Sequence, residues 1–69
     1  MKTKYEQLTI QEQKILKRYY LVRWHWFTNH EQGAEERASG YYREMSGLMY
    51  ALDALQIDFR NIKAPEDEQ

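Results

Sequence analysis

His25, His30, Ser39 and Ser46 are the side chains in this 69-residue sequence with the most obvious chemical uses. A helical metal pair needs histidines four residues apart, so that both imidazoles share one face. His25 and His30 are five apart and diverge. A histidine near a helix C-terminus has a simpler use, favourable interaction with the last carbonyls. A serine nucleophile needs a sharp strand-to-helix turn, whereas Ser39 and Ser46 lie in a helical pattern. Carboxylates are plentiful, but no Glu-x-x-His pair of the di-iron type occurs. Gly33, Gly40 and Gly47 are too far apart for a phosphate-cradling loop. The absence of cysteine closes the disulfide and thiolate-metal routes. The sequence therefore predicts a protein that is not an enzyme and uses no cofactor, metal or small-molecule substrate.

One constellation has a binding use. Lys14, Lys17, Arg18 and Arg23 lie near Tyr20 and Trp24. Basic groups attract phosphate, and aromatic faces stack on unpaired bases. Against a nucleic-acid role, the chain carries a net charge of −1, and nucleic-acid-binding domains are typically basic. The charge is also uneven. Residues 1–30 carry +4 and residues 31–69 carry −5. This reads either as a basic helix facing an acidic one, or as two solvated faces with an acidic tail.

The elements that must position these groups are helical. Three glycines and one proline are too few breakers for a turn-rich β fold. Thr9 and Glu12 form a capping-box pattern at a helix start. Ile15, Tyr19, Val22 and Trp26 then recur at helical spacing. The first helix is predicted over about 9–30, and Gly33 is the natural left-handed residue after it. The second helix is predicted over about 34–56, with Gly40 either inside it or just before it. Its heptad seam is Ala38, Tyr41, Met45, Leu48, Leu52 and Leu55. Two equal helices joined by a short polar turn imply an all-α fold, an antiparallel two-helix hairpin. Phe59 and Ile62 are expected to fold back on it as a short extension ending at residue 63. Residues 64–69 are expected to form a disordered acidic tail. No apolar leader follows Met1, no stretch is long enough to span a bilayer, and the expected location is cytoplasmic.

Two features exceed what a lone hairpin needs. Tyr19, Tyr20, Leu21, Val22, Trp24, Trp26 and Phe27 point in nearly every direction around the first helix. A helix that is apolar all round is normally covered all round, and an uncovered apolar patch marks an interaction surface. The other reading is that the folded-back tail covers what the second helix does not. The second feature is a small-residue stripe, Gly40, Gly47 and Ala54, spaced by sevens away from the main seam. An internal glycine costs about 1 kcal/mol against alanine, so its retention suggests close backbone packing. A kink at either Ser-Gly pair is the alternative. A chain this short often needs a partner to complete its core. The expected assembly is a homodimer forming a four-helix bundle. Lys17, Tyr20, Arg23, Trp24, Phe27, Gly40 and Gly47 are the candidate partner or dimer interface.

Residues 42–57, from Tyr42 to Ile57, have a glycine, an apolar pair, an Ala-Leu and a Leu-x-Ile exit. This segment resembles a helix of small helical proteins from Gram-positive phages and mobile elements. It departs from them at Gln56, where such segments often have glycine. The resemblance implies a phage or prophage accessory protein that inhibits a host defence or regulatory protein. It assigns a role to no residue. The expected function is thus protein–protein interaction. The alternative is a nucleic-acid-binding accessory factor using the basic aromatic face of the first helix.

Overall fold

The computed structural model describes residues 1–63. A short 3-10 turn, Tyr5–Gln7, precedes two α-helices, α1 (Ile10–Glu31) and α2 (Glu35–Ala54), which pack against each other. Among the described residues there is no strand, only one isolated parallel bridge between Lys2 and Ile57. The expected all-α hairpin is therefore present. The expectation for residues 64–69 lies outside the described residues.

The helix ends follow from local chemistry. The Glu12 backbone N–H donates to Thr9 Oγ1 at 3.1 Å, and the Thr9 N–H donates to Glu12 Oε1 at 2.9 Å. Two donors that the first turn leaves without partners are satisfied reciprocally. At the other end of α1, Gly33 adopts φ +77°. Its N–H reaches the His30 carbonyl, and the Ala34 N–H reaches the Asn29 carbonyl. That is a Schellman stop. The helix α2 begins at Glu35, so Gly40 lies inside it. The start lacks a side-chain cap, but Glu35 and Glu36 place negative charge where the helix dipole favours it. His30 Nδ1 lies 3.3 Å from a Glu35 carboxylate oxygen across the turn.

The helix α2 ends in the same way without a glycine. The Ile57 N–H donates to the Leu52 carbonyl and the Gln56 N–H to the Asp53 carbonyl. Gln56 itself is left-handed, at φ +59°. The stop turns the chain back, so Ile57, Phe59 and Ile62 enter the core. Leu55, expected in the seam, remains 39% exposed because it caps the helix as the chain turns away. The first residues meet this returning segment. Lys2 N–H donates to the Gln56 carbonyl and Asp58 N–H to the Lys2 carbonyl, both at 2.8 Å.

The core combines Leu8, Leu16, Tyr19 and Val22 with Met45, Leu52, Ile57, Phe59 and Ile62. Ala38 is buried too, while Tyr41 and Leu48 of the seam, with Ile15 and Trp26 of α1, are partly buried. Tyr19 and Phe59 meet edge to face, with ring centroids 5.1 Å apart. The first eight residues and residues 57–62 thus supply a third layer over one side of the hairpin. Leu8 and residues 57–62 close this side of the hairpin from within the single chain.

Candidate partner-binding surface

The third layer divides the aromatics of α1 into covered and uncovered sets. Tyr19 and Val22 are buried, and Trp26 is half-buried with its ring stacked on His30 at 5.6 Å. Tyr20 is half-buried too. Its hydroxyl donates to the Ile62 carbonyl, and burial pushes its phenol above the ordinary range. The candidate site residue Tyr20 is therefore engaged with the chain's own returning segment.

Leu21, Trp24 and Phe27 stay 47%, 60% and 54% exposed. At 100° per residue they fall on the face of α1 that points away from α2. Ile10 lies on the same face about three turns earlier and is also exposed. Lys17 lies among these positions, and Arg23 is exposed beside Phe27's flank. The structure therefore brings Lys17, Trp24 and Phe27 onto one face with Leu21, and sets Arg23 at its edge. Such an apolar patch with charged neighbours fits a macromolecular contact. Arg18 is committed elsewhere, with Nη2 2.6 Å from a Glu44 carboxylate oxygen on α2.

Gly40 and Gly47 are far from this face. Both are exposed on the side of α2 opposite the core, with Ala54 and Tyr50 nearby. A Cβ added at either glycine would meet nothing within 4 Å. Within the single chain the stripe packs against nothing, because α1 approaches the other side of α2. The stripe and the aromatic face are separate surfaces.

The middle of the hairpin also holds a shallow groove that sequence reading missed. It is lined by Tyr19, Arg23, Trp26, Met45, Met49 and Arg60. Helical spacing could have paired Met45 with Met49, but Arg60 arrives only through the returning segment. Among the described residues, no group of three or more His, Asp or Glu side chains is placed to hold a metal. No helix there is long and apolar enough to cross a membrane. No protein-family model, curated protein or solved structure matches the chain.

Proposed function

We propose that this chain is a non-enzymatic protein–protein interaction module whose contact face is the outward side of α1. One observation carries the reading: Leu21, Trp24 and Phe27 stay uncovered after Leu8 and residues 57–62 have closed the core. Trp and Phe bury much apolar area at modest entropic cost, which makes them effective anchors. Lys17 and Arg23 supply flanking charge. The resemblance of residues 42–57 extends the proposal to a phage or mobile-element accessory protein that blocks a host protein. In the same reading two copies associate as a four-helix bundle through the Gly40–Gly47 side of α2, which leaves the outward side of α1 free for the partner.

Site-specific photo-crosslinking tests the contact face. Trp24→benzoylphenylalanine is expected to capture a protein partner in cells, whereas the same probe replacing Asp53 does not capture that partner. Exclusive capture of a second copy of the chain would make this face a self-association surface. Capture of nothing, in a folded variant, would overturn the proposal.

A further inference from the structure

The groove at the middle of the hairpin has a more specific chemistry than the outer face of α1. Its volume is about 310 Å³, room for one or two side chains rather than a large ligand. Its floor is built by Tyr19, Trp26, Met45 and Met49, and its rim carries Arg23 and Arg60. Arg60 is held there by its own neighbour, with Cζ 4.4 Å from the Phe59 ring centroid. Phe59 in turn packs on Tyr19. Arg23 comes one turn after Tyr19 on α1. Neither arginine is paired with a carboxylate among the described residues. The groove thus presents two guanidinium forks above an apolar floor.

We infer that this groove binds an acidic, apolar segment of a partner protein, with aliphatic side chains on the methionines and carboxylates on Arg23 and Arg60. The inference rests on the proposed interaction role and names the chemistry of the partner. Guanidinium donors match carboxylates in a bidentate manner. Methionine is flexible and polarizable, so it adapts to varied aliphatic shapes. A nucleic acid fits less well. Trp26 already has its ring stacked on His30, and the edge-to-face contact with Phe59 occupies Tyr19. The floor therefore offers thioethers and partly used rings, rather than free faces for base stacking.

The methionines provide the readout. The chain has three, Met1, Met45 and Met49. Met1 is exposed at the start of the chain, outside the groove, and serves as an internal control. Methyl-labelled protein is titrated to millimolar concentration with a blocked peptide, Ser-Glu-Leu-Leu-Glu-Ser. Parallel titrations use its Gln-for-Glu counterpart and a short oligothymidylate. The acidic peptide should shift the Met45 and Met49 methyls saturably and leave Met1 in place. Replacing both glutamates, or introducing Arg23→Gln or Arg60→Gln, should weaken binding about tenfold, since charge-assisted hydrogen bonds are lost. Arg23→Gln should melt like the wild type, and Arg60→Gln, which gives up only the contact with the Phe59 ring, should melt within a few degrees of it. Three results would overturn the inference: no shift at millimolar acidic peptide, equal binding of the Gln peptide, or equal binding of the oligonucleotide. Trp24→Ala should leave this titration unchanged. Failure of the titration while crosslinking from position 24 succeeds removes the groove alone. Success of the titration while that crosslinking fails removes the outer face instead.

Discussion

Leu52 and Ile57 are joined twice, by a 3.0 Å hydrogen bond from the Ile57 N–H to the Leu52 carbonyl and by burial of both side chains in one core. The stop signal of α2 is therefore also a packing contact. Leu52→Ala would leave a cavity where α2, the returning segment and α1 converge. It should cost about 2–5 kcal/mol. Leu48 is only partly buried, so Leu48→Ala should cost clearly less. Urea denaturation of the two variants measures this, and equal losses would refute the assignment of Leu52 to the centre of the core.

Gln56 provides the second prediction. Its backbone sits at φ +59°, where a Cβ is crowded and glycine is not. Gln56→Gly should stabilise the fold by about 1 kcal/mol, raising the thermal midpoint by about 4–8 °C. A lowered midpoint would show that the Gln56 side chain contributes more than its backbone costs.

The Glu12 carboxylate links the cap of α1 to the start of the chain. It forms an ion pair with the Lys2 ammonium and accepts from the Thr9 N–H. The Lys2 hydrogen bond comes first, and the Thr9 backbone second, in holding the Glu12 carboxyl below its ordinary value. A depressed folded-state pKa contributes stability above the unfolded-state value, and that contribution is lost as pH falls through the folded one. Glu12→Gln should therefore be less stable than wild type at neutral pH. The gap should close in acid, below the ordinary carboxylate range. Denaturation across a pH series tests this, and a gap independent of pH would contradict it.

Gly47 separates two states of the protein. In the single chain a methyl group there meets open space, so Gly47→Ala should stabilise the hairpin by up to about 1 kcal/mol. In the proposed bundle the same methyl would push apart closely packed backbones. The variant should melt higher when dilute and associate more weakly in sedimentation equilibrium. Unchanged association would remove the stripe from the dimer interface.

Much of this fold was legible because its signals are local. The Thr9–Glu12 box, Gly33 and the Ala38, Met45 and Leu52 positions each act within a few residues of themselves. The third layer was less legible. Phe59 and Ile62 were expected to return, but Leu8 and the Lys2–Ile57 bridge join opposite ends of the chain. That bridge uses backbone hydrogen bonds, which leave no mark on side-chain spacing. The same gap misassigned Leu55, since a left-handed Gln56 takes the chain off the helical register that the seam assumed. It also hid the engagement of Tyr20 with Ile62 and the arrival of Arg60 at the groove. Trp24 and Phe27 were legible as surface because apolar residues encircle α1 and two packed layers cannot cover every side.

The central claim is that the outward face of α1 binds a protein. Its most direct test is affinity capture from cells with the wild type, Trp24→Ala, Phe27→Ala and the opposite-side control Asp53→Ala, after melts show all four folded. The account predicts one partner recovered by the wild type and by Asp53→Ala, and lost or strongly reduced with Trp24→Ala and Phe27→Ala. Full recovery of that partner by Trp24→Ala and Phe27→Ala would contradict it.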